Sequence, residues 1–157
     1  LYLRYIKLDL IERIMLLQWD KQIPVDIEKL ALLNNLVIKG KSELAPKLVY
    51  DNENAVGYGY YDNQQIEPKQ QYQKACLLTN HLINKQPSFI DKPTTQSNSN
   101  GFNLRAIVLK LLIPKTAVEY YIFKKSITDV SQLAKIFNVE KQDMRERLCF
   151  LANNNLA

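Results

Sequence analysis

The sequence predicts an α+β fold, mainly helical with a small antiparallel or mixed sheet of about three strands. Three observations carry this. Apolar residues recur at helical spacing near both ends of the chain, three short β-type runs lie together in its first half, and a nearly all-apolar stretch ends at a proline in its second half. At 157 residues the chain is expected to form one domain. A chain of that length buries roughly two-thirds of the surface its unfolded form exposes.

The first helix is amphipathic. Leu3, Ile6, Leu10, Ile14 and Leu17 fall three or four apart, Leu8, Ile11 and Met15 widen the stripe, and the helix ends near Trp19 and Asp20. Pro24 suits the first turn of a second, shorter helix with Ile27, Leu30 and Ala31 inward, and Asn34 or Asn35 stops it. Strands are expected at residues 36–38, 47–50 and 55–61, with Asp51 to Asn54 as a turn between the last two. The third run alternates, Val56, Tyr58 and Tyr60 against Ala55, Gly57 and Gly59, so something packs closely on the glycine side. These two strands are expected to form a hairpin.

Residues 67–84 read as a helix with Tyr72, Ala75, Leu78 and Leu82 on one face. Residues 86–101 are rich in Pro, Ser, Thr and Asn, poor in apolar groups, and are expected to be a mobile loop inside the domain. Residues 102–113 are apolar nearly all round, as a central helix would be, and Pro114 ends it. Thr116 with Glu119 spells a capping box, Thr128 is placed to cap the next helix, Asn138 turns, and a last helix follows to about Ala152. Residues 128–152 thus read as a helix-turn-helix-like pair.

The formal charge of +5 is mild and serves solubility as readily as an acidic partner. No apolar run reaches the ~18 residues a membrane helix needs. The first residues lack a signal-peptide pattern, so a cytoplasmic location without membrane contact is expected. Cys76 and Cys149 are far apart in apolar helical contexts and are expected to be free and buried.

Several motifs occur in a shared order: Ile23-Pro24-Val25-Asp26-Ile27, Leu111-Leu112-Ile113-Pro114, then Leu133-Ala134, Phe137, Val139 and Met144 to Leu148. Together with the order of elements they resemble the ImmA/IrrE family of bacterial and phage-borne zinc metallopeptidases, over almost the whole chain. The resemblance implies a zincin-like scaffold. It also implies a zinc-binding H-E-x-x-H helix, whose glutamate activates the metal-bound water. That motif is lost here. In one register Cys76 and Asn80 stand at the ligand positions and Leu77 at the base; shifted by one, Leu77 and His81 stand at the ligand positions and Leu78 at the base. The family's third ligand falls on Asn103, where a glutamate is expected. The resemblance thus implies the scaffold without the chemistry: no catalytic residue, no metal and no cofactor. Cys76 and His81, five apart, share a helical face poorly and are expected to be a buried thiol and a partly exposed histidine.

The function expected is that of a catalytically inactive relative acting as a regulator by binding another protein. The family's partners suggest a helix-turn-helix repressor of a phage or mobile element. The tyrosines Tyr58, Tyr60 and Tyr61 are the candidate contacts, on a strand that edges the family's cleft and could accept a partner as a further strand, with residues 93–101 beside them. Two alternatives remain open. One is a divergent zinc metallopeptidase cleaving a repressor. The other is a DNA-binding regulator using Lys141, Gln142, Arg145 and Arg147 of the last helix, with Glu140, Asp143 and Glu146 opposing phosphate contact.

Overall fold

A computed structural model describes the backbone of residues 2–83 and 101–155 and the side chains of residues 10–83 and 104–154. The chain is α+β. Its order is α1 (Tyr2–Gln18), α2 (Ile27–Leu33), β1 (Leu36–Lys41), β2 (Lys47–Asp51), β3 (Val56–Asp62), α3 (Glu67–Ile83), α4 (Gly101–Leu112), α5 (Lys115–Glu119), a π-helical turn (Tyr120–Lys124), α6 (Val130–Phe137) and α7 (Lys141–Asn155). Residues 86–100 of the expected loop lie outside the described residues, and Gly101 begins α4.

The sheet is mixed and runs β1-β3-β2. β2 and β3 form the expected antiparallel hairpin, while β1 lies parallel to β3 on its other side. β3 is therefore the central strand, which corrects its placement at the edge of a cleft: both its hydrogen-bonding edges are already used.

The glycine side of β3 faces α3, as the alternation implied. A Cβ on Gly59 would stand 3.3 Å from Leu77 Cδ1, and one on Gly57 would stand 3.3 Å from His81 Nδ1 and 3.1 Å from Leu36 and Tyr50. The missing Cβ atoms let α3 and the side chains of Leu36 and Tyr50 close tightly on this face of the strand.

The core sits between α3, α4 and the closing helices. Ala75, Leu78 and Leu82 of α3 meet Val108, Leu111, Leu112 and Ile113 on or after α4, with Leu133, Phe137 and Met144 from α6 and α7. Leu10, Ile11, Ile14 and Met15 carry the inner side of α1. Leu17, expected in that stripe, is 81% exposed, while Leu3, Ile6 and Leu8 lie outside the described side chains.

Helix ends differ from expectation at three places. Asp26, not Pro24, starts α2, its carboxylate accepting from Lys29 N at 3.1 Å. Pro114 caps α5 without a side-chain bond, so the Thr116–Glu119 box does not form. Asp129, rather than Thr128, caps α6, accepting from Ser131 N at 3.3 Å. Asn138 does end α6 in the left-handed region at φ 55°, and Asn35 takes that role after α2 at φ 61°.

Candidate functional site

The site stands on α3, whose inner face is pinned from several sides. Gln71 Nε2 donates to Val25 O at 2.8 Å, tying the helix to the segment before α2. Leu77 and Leu78, one on each candidate base position, are 1% and 0% exposed and belong to the buried face. Their hydrocarbon neither ligates a cation nor takes a proton.

His81 is 5% exposed, which corrects the expectation of a partly exposed ring. Its Nε2 lies 2.7 Å from the carbonyl oxygen of Asn34, at the C-terminal cap of α2, and its Nδ1 lies 3.0 Å from the Tyr50 hydroxyl on β2. A carbonyl can only accept, so Nε2 carries the proton; in the neutral ring Nδ1 then accepts from Tyr50. The two rings also stack, centroids 5.6 Å apart at 19°. The imidazole thus joins α2, the sheet and α3, and burial raises the Tyr50 hydroxyl above its usual range.

Cys76 belongs to a different neighbourhood, toward α4 and α7. Burial, the largest cause, pushes its thiol up to about 12. The Asp143 charge acts in the same direction, against the Tyr72 hydroxyl and Arg105. At neutral pH the thiol is protonated and a poor nucleophile. Asn80 spends its amide on its own helix, Nδ2 donating to Cys76 O at 2.9 Å. Asn103 falls in the first turn of α4, its side chain outside the described set.

A polar cluster that the sequence reading missed fills the space beside Cys76. Arg105 of α4 donates through Nε to Glu146 at 2.7 Å, through Nη2 to Asp143 at 2.5 Å and through Nη1 to the Tyr72 hydroxyl at 3.2 Å. Glu146, through its bond to Arg105, titrates below the ordinary glutamate range, and burial pushes Tyr72 up to about 12. One guanidinium thus gathers α3, α4 and α7. The signal was there: an arginine near the start of a mostly apolar helix needs polar partners.

Zinc does not fit these residues. The candidate base positions are leucine, both imidazole nitrogens are engaged, and the carboxylates of Asp143 and Glu146 are held by Arg105. Among the described residues no three His, Cys, Asp or Glu side chains form a group that could hold a metal ion.

The sheet tyrosines divide. Tyr58 and Tyr60 lie on the outer face, with Lys39 Nζ 5.6 Å from the Tyr58 ring and Lys41 Nζ 4.5 Å from that of Tyr60. Tyr61 points the other way, its ring over Gly40 and beside Lys74 of α3 at 4.9 Å. The three tyrosines therefore do not make one patch.

The α6–α7 pair is present, and Lys141, Gln142 and Arg145 are exposed on it. Arg147 is not: it is 3% exposed and its Nε donates to Ile113 O at 2.9 Å. Burial lowers it to about 10. It closes the end of α4 rather than facing a ligand, which removes it from any DNA-reading set. Asp143 is likewise buried, and with Glu146 it turns onto Arg105 instead of opposing phosphates.

Among the described residues no helix is long and apolar enough to cross a membrane. No family model, no curated protein and no solved structure matches the chain.

Proposed function

We propose that this chain is a non-catalytic, protein-binding regulator on an ImmA/IrrE-like scaffold, acting in the cytoplasm on a helix-turn-helix repressor of a phage or mobile element. One observation carries the reading: the helical turn from Cys76 to His81, where a metallopeptidase would present its ligands and base, is made of core leucines and a histidine joining three elements. Such a turn holds a fold together and leaves hydrolysis without a base. Among the described residues β1 and β2 are the outer strands of the sheet, and the outer edge of β2 offers main-chain groups to an incoming strand, beside the outward rings of Tyr58 and Tyr60. In this reading the partner strand adds to an outer strand, β2, and not to the central β3.

The test is capture of partners from the native host by the full chain, with mass spectrometry of each partner's termini. A specific repressor recovered with intact ends agrees with binding without cleavage. New termini, produced only when the chain is present, would return the reading to a divergent peptidase.

A second reading, duplex DNA contact, draws on the exposed Lys141, Gln142 and Arg145 and on the left-handed turn at Asn138. It requires salt-dependent retention on duplex DNA that Arg145→Ala weakens. Retention unchanged in that variant removes it.

A further inference from the structure

Away from α3, the segment after α1 and the segment after α5 enclose an open groove of about 480 Å³. Trp19, Lys21 and Ile23 line one side and Thr116, Tyr120 and Tyr121 the other. The size falls in the range of ligand sites, roughly 300–1,000 Å³. Its walls are preset. Trp19 is buried, and its Nε1 donates to Gln22 O at 3.0 Å. Tyr121 meets the core ring of Phe137 edge-on at 5.8 Å, and Tyr120 meets Tyr121 edge-on at 5.3 Å. An aromatic row thus runs from the core out to the surface.

Two features at the rim select the occupant. The first is apolar. The π-helical turn carries Tyr120, 48% exposed, and Phe123, 76% exposed. Phe123 lies outside the groove lining, so a ligand that fills the groove alone leaves it in water; covering it takes a longer chain. The second is charge. Lys21 Nζ stands 4.8 Å from the Trp19 ring and Lys125 Nζ 5.8 Å from that of Tyr120. Among the described residues neither they nor Lys124 makes an ion pair, while the neighbouring carboxylates Asp20 and Glu119 are engaged by Lys29 at 3.1 Å and Lys115 at 3.7 Å. Cations resting on aromatic faces beside neutralised carboxylates leave a positive, ring-lined rim.

We infer that this groove binds an acidic peptide segment of a partner protein, with one aromatic side chain of the segment seated between Trp19 and Tyr120 and its carboxylates on Lys21, Lys124 and Lys125. The aromatic anchor supplies the buried area and the lysines supply orientation and on-rate. This site shares no residue with the α3 turn or with β2, and it stands whether or not the reading of those elements holds.

Trp19 is the chain's one tryptophan, so its fluorescence reports on the groove. The probe is an end-capped eight-residue peptide of alternating Asp and Glu around one Phe. Controls are the same peptide with Lys in place of the acids, the same with Ala in place of Phe, phenylacetate, and a single-stranded oligothymidylate. Expected is a saturable change with the acidic Phe peptide. Its affinity falls tenfold or more in Lys21→Glu/Lys125→Glu and severalfold in Phe123→Ala. All three positions are exposed, and an unchanged melting temperature certifies the fold. The inference is overturned if no saturable change occurs, or if the basic or Phe-less peptide binds equally well. It is overturned too if phenylacetate matches the peptide with Phe123→Ala silent, which marks a small-molecule site, or if the oligonucleotide binds as tightly.

Discussion

The Tyr50 hydroxyl lies 3.0 Å from His81 Nδ1 while the two rings stack at 19°, so one residue of β2 holds the α3 imidazole by both an edge and a face. The other ring nitrogen closes on Asn34 O at 2.7 Å. His81 therefore does structural work that a solvent-facing histidine would not. Replacing it with Ala removes a partner from a buried carbonyl and a half-buried hydroxyl at once and opens space between them. We expect a loss of roughly 2–5 kcal/mol, against about 1 kcal/mol for Tyr50→Phe, which keeps the stack and loses one hydrogen bond. Urea unfolding followed by circular dichroism measures both. Equal, near-zero losses would mean the imidazole is not part of the fold's support.

Gly57 and Gly59 lie two residues apart on one face of β3, but they are not equally tight. A methyl at Gly57 meets Leu36, Tyr50 and His81 at 3.1–3.3 Å, whereas at Gly59 the neighbours are leucine side chains at 3.3 Å and beyond. Gly57→Ala is expected to cost about 1–3 kcal/mol through overpacking and to disturb the Tyr50–His81 pair. Gly59→Ala is expected to cost less, because leucine termini shift more easily than a hydrogen-bonded ring. Melting temperatures of the two variants, in that order, check the assignment.

How far the sequence disclosed this arrangement depends on what each residue signals alone. The period-2 alternation at Val56, Tyr58 and Tyr60 located β3 and its close neighbour, since bare glycines have one physical reason to line a strand face. Strand order was not legible. β1 pairing parallel to β3 is a long-range choice that local pattern does not record, so the central place of β3 shows only in the fold. Leu77 and Leu78 announced the missing base by identity. The fate of His81, Arg105 and Arg147 needed three dimensions, because each is spent on a partner 33 or more residues away or on another element's carbonyl. Thr128 and Asp129 both carry capping chemistry, and the helix uses Asp129, a one-residue difference typical of helix ends.

Arg105 offers a sharper test of packing against charge. Its loss leaves the buried Asp143 without its cation; because the Arg105 side chain is itself 36% exposed, solvent screens the pair and the cost is about 1–3 kcal/mol, below that of a fully buried pair. Arg105→Met should therefore destabilise measurably, and Arg105→Met with Asp143→Asn should recover a large part of the loss, since the second change removes the stranded charge. The sign with pH follows from Glu146. Its folded carboxyl is depressed by Arg105, so its contribution is present above the unfolded value near 4.5 and is lost as pH falls through the lower folded value. Wild type should lose stability across that acid window more steeply than Glu146→Gln. Parallel acid limbs would mean the pair contributes nothing.

The two thiols should behave as different chemical species. Cys149 is exposed on α7, which corrects the expectation that both would be buried, and both are free. In native protein a thiol-specific chromogen at pH 8 should therefore react quickly with one equivalent. Cys76 should remain silent until denaturant is added. A thiol pushed up to about 12 carries about a thousandfold less thiolate at that pH than an ordinary one at 9, even before access is considered. The linkage runs toward alkali: the folded value is raised, so the stability tied to Cys76 is present below about 9 and drains as pH rises toward about 12. Cys76→Ala should flatten the decline of stability between these limits without abolishing it, because Tyr72 is raised to about 12 and titrates in the same window. Two thiols reacting at one rate in native protein, or an alkaline limb unmoved by Cys76→Ala, would place the Cys76 sulfur in water and open the packed α3–α4 contact on which the site is built.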